Sequence, residues 1–130
     1  MEEVYEFLKK VGVYFLATTE GDQPRNRAFG TIDIFEGKLY IQTGKSKPVS
    51  SQMKANPKIE ICAFDGAEWI RVTAKAYLDE RLEPQEHLLD AYPQLADRYQ
   101  PGDGNNEVFY LQDVEATFSS FTDEPRTIRF

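Results

Sequence analysis

Residues 39–57 read LYIQTGKSKPVSSQMKANP, a run of strand-forming residues followed directly by a helical pattern. Glycine, two lysines and hydroxyl side chains lie at the junction, between Thr43 and Pro48. A helix start leaves backbone N–H groups unpaired and carries a partial positive charge, so the junction predicts a site for an anion such as phosphate. Proline is tolerated in the first helical turn and not deeper, so Pro48 predicts a helix that begins near residue 47.

The letters Gly44-Lys45-Ser46 also occur in the P-loops that bind nucleoside triphosphates. A P-loop requires another glycine five positions before the Gly-Lys pair, and that position is Leu39, inside the predicted strand. The sequence therefore argues against a P-loop but leaves anion binding open. For Lys45, Ser46 and Lys47 the alternative is an ordinary polar helix start with exposed lysines.

The chain as a whole is short and acidic. Its 130 residues include no long Pro-, Gly- or Ser-rich tract, which predicts a single domain over residues 1–130. A formal net charge of −7 argues against a nucleic-acid binder, because nonspecific binding needs Lys and Arg along an extended face. No apolar run approaches the roughly 18 residues of a membrane span and no signal-peptide pattern is present, so we expect a cytoplasmic protein without membrane contact.

The chain has one cysteine and one histidine. Cys62 has no partner for an internal disulfide and lies in the apolar run Ile59–Phe64, so we expect a reduced thiol in the core. His87 has no second histidine or cysteine near it, and a metal site needs more ligands, so we predict no metal. No nucleophile motif is present and catalytic residues stay unassigned.

Periodic patterns predict a mainly β domain with helices at the connections. Helices are predicted over 2–10 and 47–55, with two short helices or one kinked helix over 84–99. The predicted strands cover 13–19, 25–35, 39–43, 59–64, 68–78, 108–111, 114–121 and 127–130. Asp65-Gly66 is a strong hairpin signal between two of them. Six or more short antiparallel strands indicate a small closed or partly closed barrel.

Two arginines lie near the start of the second predicted strand. Because Arg25 and Arg27 are two positions apart, they should point to the same face. The turn at 36–38 predicts a hairpin that would place this strand beside the strand ending at Thr43, so the two basic clusters would share one site. Lysines and an arginine around a dianionic phosphate, with flat apolar walls beyond, are what a phosphorylated aromatic cofactor needs.

Four segments, taken in order, resemble the pyridoxamine 5′-phosphate oxidase-like, FMN-binding split-barrel family. They are Pro24-x-x-Arg27, the junction 39–48 with Gln52 and Asn56-Pro57, WIRVTAKA at 69–76, and ATFSSF at 116–121. Together they span nearly the whole chain. The resemblance implies a six-stranded antiparallel split β-barrel with peripheral helices. It also implies a homodimer with FMN in each of two clefts at the interface.

The resemblance also implies roles for individual residues. The phosphate would be held by Arg27, Ser46 and Lys47. The ribityl and phosphate side would be lined by Thr43, Gly44 and Lys45. The flavin ring would pass along Arg25, Asn26 and Ala28. Gln52 would reach the cofactor from the helix, while walls of the cleft or of the partner-subunit side would come from Trp69 and Phe121.

Two departures from the family pattern bear on function. The vitamin B6 oxidases have a lysine five residues after the strand-two arginine, where this chain has Ile32, and a basic C-terminal segment, where this chain ends EPRTIRF. The chain looks closer to the short, general-stress-like and nitroreductase-like members. We therefore expect an FMN-dependent oxidoreductase acting on a small-molecule electron acceptor or donor, with NADH or NADPH as the candidate reductant. The alternatives are a noncatalytic FMN carrier or sensor, a structural dimer with an adventitious anion site, and, less favoured, pyridoxamine phosphate oxidation.

Overall fold

The computed structural model describes residues 1–130 as one antiparallel sheet with three α-helices. The strands are β1 (Tyr14–Glu20), β2 (Gln23–Phe29), β3 (Asp33–Phe35), β4 (Lys38–Gly44), β5 (Lys58–Phe64), β6 (Glu68–Asp79), β7 (Asn106–Ser120) and β8 (Arg126–Arg129). The helices are α1 (Glu2–Val11), α2 (Pro48–Ala55) and α3 (Leu82–Ala91), followed by a 3₁₀ helix at Pro93–Leu95. None of the helices has the length and apolar character that crossing a membrane would require.

The strands follow the order β2-β1-β5-β6-β7-β4-β3, and β8 pairs with β7. The predicted mainly β architecture is confirmed, but the sheet has eight strands instead of six. The two shortest strands are β3 and β8, and each is paired with a single neighbour; β8 corresponds to the predicted strand 127–130, whereas β3 lies within the predicted strand 25–35. The hairpin predicted at Asp65-Gly66 is confirmed, with β5 and β6 in register on either side.

The prediction of one long strand over 25–35 is wrong, because the chain leaves the sheet between β2 and β3. The hydroxyl of Tyr14 donates to the carbonyl oxygen of Thr31 at 2.6 Å. The hydroxyl of Tyr92 accepts from the N–H of Ile32 at 3.0 Å and donates to its carbonyl oxygen at 3.1 Å. Tyrosine hydroxyls thus satisfy backbone groups that a neighbouring strand would otherwise bond.

This break separates the two strands that were expected to be neighbours. β2 pairs with β1 and β3 pairs with β4, so β2 and β3 lie at opposite ends of the strand order. The predicted 36–38 hairpin exists, with φ of 48° at Glu36 and 75° at Gly37, but it does not carry the arginine strand.

A second difference concerns the predicted strands 108–111 and 114–121, which form one continuous strand, β7. Asp113 has a positive φ of 53°, and the pairing register with β6 shifts between Thr73 and Lys75. A bulge of this kind adds a residue without ending the strand. The polar pair Gln112-Asp113 therefore marks an irregularity and not a turn.

The expectation that Cys62 lies in the core is also wrong. On β5 the side chains alternate, so Ile59 and Ile61 are buried whereas Cys62 is exposed. Several apolar side chains share its side of the sheet: Val13, Phe15 and Phe64 are each at least half exposed. We call this surface the apolar outer face; its members are Val13, Phe15, Cys62, Phe64, Trp69 and Phe121.

Candidate functional site

We call the junction between β4 and α2, residues Thr43–Pro48, the strand-to-helix corner. Lys47 is the N-cap residue of α2. The N–H of Lys45 donates to the carbonyl oxygen of Asn105 at 2.7 Å, and that of Ser46 to Asn105 Oδ1 at 3.1 Å. The N–H of Lys47 donates to the carbonyl oxygen of Gly44 at 3.0 Å. These three backbone donors are therefore already bonded, contrary to the expectation that main-chain groups of the corner would hold an anion. The side chains of the two lysines remain exposed and form no ion pair within the chain.

Gly44 is closely packed, while its φ lies outside the left-handed region. A Cβ at this position would lie 3.0 Å from the hydroxyl of Tyr99 and 3.2 Å from Nδ2 of Asn105. Contacts this short force a neighbour to move. The corner therefore lies tightly against the segments that contain Tyr99 and Asn105.

Arg27 supplies a cation without a carboxylate partner. Its Nη1 donates to the carbonyl oxygen of Leu16 at 3.2 Å and to Thr18 Oγ1 at 2.7 Å, and its Nη2 donates to Gln52 Oε1 at 2.5 Å. Partial burial lowers the pKa of Arg27, and the nearby charge of Arg25 lowers it further. Because arginine remains protonated at neutral pH, the site contains a positive charge whose bonded partners are all neutral.

Arg25 differs from Arg27 although both point to the same face of β2. Across the β1–β2 pairing, Arg25 lies beside Thr18 and Arg27 beside Leu16, whose side chains are buried. The guanidinium of Arg25 forms an exposed ion pair with Glu20, 2.9 Å between Nη2 and Oε1. It is therefore a weaker candidate for anion binding than Arg27.

Gln52 is hydrogen-bonded to the guanidinium of Arg27. It is buried, and its Oε1 accepts hydrogen bonds from both Arg27 and Thr18. In this structure it orients the guanidinium instead of extending freely into the site.

Two hollows adjoin at this place and share four lining residues: Arg27, Ala28, Lys47 and Val49. The large hollow, about 530 Å³, extends along Arg25, Asn26 and Gln52. The small hollow, about 310 Å³, extends to Thr43 and to the segment after α3. Arg27 and Lys47 thus border the same hollows, although β2 and β4 are not paired. Of the other predicted corner residues, Thr43 lines the small hollow, whereas Gly44, Lys45 and Ser46 line neither.

The segment Tyr92–Tyr99 was not predicted to belong to the site, yet it forms one wall of the small hollow. Sequence patterning explained its Leu and Tyr residues as the apolar side of a helix. Arg98 in this segment is exposed and lines the small hollow, which adds a third cation to Arg27 and Lys47. The one available signal was an arginine next to an aromatic residue, which is too common to identify a site.

Thr31 is a second residue that sequence reasoning missed. It is buried, it lines the small hollow, and its Oγ1 has no hydrogen-bond partner within the chain. An unpaired buried hydroxyl is costly unless a ligand or water bonds it. Beside unpaired cations, it suits a ligand rich in hydrogen-bond acceptors.

Two predicted site residues, Trp69 and Phe121, lie away from the two hollows in the fold. Their rings pack together with centroids 5.1 Å apart on the apolar outer face, and neither borders the two hollows. Ala28 connects the two regions, because it lines both hollows and pairs with Phe15 across β1 and β2. A further groove of about 440 Å³, near Ala17 and Lys75, contains none of the predicted site residues.

No family model matches the sequence, and no curated protein does. Among solved structures, the chain is similar to a NimC/NimA family protein from Clostridium acetobutylicum, with 43% identity over 100% of this chain and 92% of that chain and a TM-score of 0.97. It is also similar to General Stress Protein 26 from Bacillus anthracis, with 15% identity over 99% of this chain and 97% of that chain and a TM-score of 0.76.

A third similar structure is a pyridoxamine 5′-phosphate oxidase-related, FMN-binding protein from Nostoc punctiforme. Its identity is 16% over 96% of this chain and 90% of that chain, with a TM-score of 0.59. At such low identity the likeness to this protein and to General Stress Protein 26 concerns the fold alone. The identity to the clostridial protein extends over the full chain. The chain therefore belongs to the NimC/NimA family and has the pyridoxamine 5′-phosphate oxidase-like split-barrel fold.

Proposed function

We propose that this protein binds FMN at the two hollows and acts as an oxidoreductase on a small molecule. The observation that carries the proposal is Arg27, a partly buried cation with only neutral partners that borders both hollows together with Lys47. A phosphate dianion supplies the missing counter-charge through short, charge-assisted hydrogen bonds. The FMN-binding relative of the same fold supports the choice of a flavin phosphate.

The residues present fit such a ligand. Arg27 and Lys47 would hold the phosphate, and the unpaired hydroxyl of Thr31 offers one more hydrogen bond. Two buried aromatic residues of the small hollow, Phe29 and Tyr92, add flat apolar surface. FMN would supply the electron-transfer chemistry, and the chain would bind and orient it.

Pyridoxamine phosphate oxidation remains the less favoured function. At the position where the vitamin B6 oxidases have a lysine, Ile32 is 1% exposed and its backbone is bonded to the Tyr92 hydroxyl. This position offers no charge to a second phosphate.

We also propose that the protein is a homodimer joined through the apolar outer face. Phe15, Phe64 and Phe121 are 50%, 55% and 80% exposed, and burying such side chains stabilises association by roughly 25 cal/mol per Å² before the costs of association. Because Ala28 lies beside Phe15 and lines both hollows, a second copy on this face would add a wall to the site.

Flavin binding is tested by purifying the protein, recording its visible spectrum and titrating the flavin-free form with FMN, riboflavin and FAD by calorimetry. We expect FMN to bind more tightly than riboflavin, because only FMN has the phosphate. A colourless protein without affinity for FMN would contradict the proposal.

Catalysis and simple carriage are separated by kinetics. The FMN-loaded protein is mixed with NADH or NADPH, with and without a quinone acceptor, and oxidation of the nicotinamide is followed by absorbance. An oxidoreductase would oxidise the nicotinamide in a manner that depends on the acceptor. A carrier or sensor would bind flavin but show no acceptor-dependent oxidation of the nicotinamide. An adventitious anion site predicts that replacing Arg27 and Lys47 together leaves flavin affinity unchanged.

A further inference from the structure

The loop Gln100–Asn106 lies against the strand-to-helix corner, and Asn105 of this loop is bonded to the backbone of Lys45 and Ser46. Asn105 accepts the N–H of Lys45 on its carbonyl oxygen and the N–H of Ser46 on its side-chain Oδ1, at 2.7 and 3.1 Å. The side chains of Lys45 and Ser46 are exposed. These two hydrogen bonds therefore restrain the backbone of the corner between the end of β4 at Gly44 and the start of α2 at Pro48.

The loop is itself held in one conformation. The carboxylate of Asp103 accepts backbone N–H groups from Gln100, Asn105 and Asn106, at 2.9, 2.8 and 2.6 Å. Asn106 then opens β7 and pairs with Gly44 at the end of β4. Asn105 thus stands between a fixed turn and the sheet, on a backbone with little freedom.

The corner in turn sets the position of Lys47. The N–H of Lys47 donates to the carbonyl oxygen of Gly44, and Lys47 lines both hollows together with Arg27. A lysine ammonium is a point charge on a flexible stem, so its contribution to binding depends on where its backbone is fixed. A shift of the corner would separate it from the phosphate site without disturbing the core.

We infer that Asn105 is a positioning residue that, by bonding the backbone of Lys45 and Ser46, makes the site selective for a phosphorylated flavin over an unphosphorylated one. The inference rests on the proposed FMN binding. It predicts that Asn105 acts on the phosphate contribution to affinity and not on the contribution of the ring.

The test compares the parent protein with Asn105→Ala by titrating each flavin-free protein with FMN and with riboflavin. We expect the FMN affinity of Asn105→Ala to fall by about fivefold to tenfold, the equivalent of one net hydrogen bond, while riboflavin affinity stays within about twofold. Amide hydrogen exchange of the Ser46 N–H gives a readout independent of flavin. This N–H should be protected in the parent protein and exchange faster in the variant.

The matched control is Asn56→Ala. Asn56 makes the same kind of bond at the other end of α2, where its Oδ1 accepts the N–H of Lys58 at 3.1 Å, and its Nδ2 also donates to Thr19 Oγ1 at 2.9 Å. Because two side-chain hydrogen bonds are removed, we expect this variant to lose at least as much stability as Asn105→Ala but to keep the ratio of FMN to riboflavin affinity. Gly44→Ala perturbs the same contact from the opposite side, since its Cβ would press on Tyr99 and Asn105, and it should lower that ratio as Asn105→Ala does.

The possible results are distinct. If the parent protein binds FMN and Asn105→Ala weakens both flavins equally or neither, the inference is overturned while the proposed function stands. If the parent protein binds neither flavin, the proposed function fails and this inference fails with it.

Discussion

Arg27 and Gln52 are joined by a hydrogen bond, 2.5 Å between Nη2 and Oε1, that links the edge strand β2 to the buried side of helix α2. The same amide oxygen accepts the hydroxyl of Thr18, which itself accepts a bond from Arg27. The three side chains form a closed triangle in which the only formal charge is that of Arg27. The guanidinium is thus fixed in place without being neutralised, which keeps its charge available to a ligand.

Gln52→Glu would change this situation, although it also places a second carboxylate near Glu20, whose Oε2 lies 3.5 Å from the amide Nε2 of Gln52. The new carboxylate would form an ion pair with Arg27 and neutralise it, so we expect FMN affinity to fall by about tenfold, roughly 1.4 kcal/mol. Riboflavin affinity should change less, because riboflavin has no phosphate. Calorimetric titration of both flavins measures the effect. Gln112→Glu, an exposed position on β7, adds the same charge outside the hollows and serves as the control.

Removing the positive charge of Arg27 should lower FMN affinity more than Gln52→Glu does. For Arg27→Gln we expect a loss of about 1.5–3 kcal/mol in FMN binding for each charged hydrogen bond removed, and Lys47→Ala should add to it. Titration with FMN provides the measurement. Arg129→Gln removes the same charge from an exposed ion pair on β8 and should leave binding nearly unchanged. Equal losses in Arg27→Gln and Arg129→Gln would show that net charge and not a site governs affinity.

Phe15→Glu tests the proposed homodimer. A carboxylate in the centre of the apolar outer face would have to be desolvated on association, so we expect the variant to sediment as a monomer where the parent protein sediments as a dimer. Because Ala28 adjoins Phe15, FMN affinity should fall as well. The control is Leu82→Glu. Leu82 is 46% exposed, similar to the 50% of Phe15, but lies outside the apolar outer face. A parent protein that sediments as a monomer at all concentrations would contradict the proposal.

The lowered pKa of Asp79 predicts that the folded protein loses stability at acid pH. The guanidinium of Arg81 and the hydroxyl of Tyr40 both donate to its carboxylate and hold the pKa of Asp79 at about 2, below its ordinary value near 3.9. A lowered pKa in the folded state contributes stability that is present above pH 4 and is lost as the pH falls from about 4 to about 2.

The corresponding experiment is urea unfolding of the parent protein and of Asp79→Asn between pH 2 and pH 7. We expect the parent protein to be more stable at neutral pH by about 1–2 kcal/mol, the range reflecting screening of the half-exposed Arg81. The difference should shrink toward pH 2. Other carboxylates with lowered pKa, such as Asp65 and Asp103, affect both proteins alike and cancel. A constant difference across this range would mean that Asp79 stabilises the fold independently of its charge.

Local patterns in the sequence were sufficient for much of the fold. Pro48 marked the start of α2, Asp65-Gly66 marked the β5–β6 hairpin, and alternation identified the strands, because each depends on residues close in sequence. The same alternation, followed strictly through Ile59 and Ile61, would also have placed Cys62 outside. The apolar character of its neighbours concealed that signal.

The break between β2 and β3 and the wall of the small hollow could not be predicted in this way. The break depends on the hydroxyl of Tyr92, sixty positions from Ile32, and the wall on how the segment after α3 folds back onto the corner. Such contacts are set by tertiary packing and leave no periodic trace. Arg27 and Lys47 therefore border the same hollows, but the expected route through the 36–38 hairpin is wrong.

The exposed position of Cys62 has a practical consequence. It is the only thiol of the chain and lies directly across from Phe15 in the pairing of β1 and β5. Ellman's reagent should therefore modify the unaltered protein at a single atom. If the outer face is covered by a second copy, the modification rate should fall as protein concentration rises, and Phe15→Glu should restore it. The wild-type sequence thus contains a built-in chemical reporter of its own self-association.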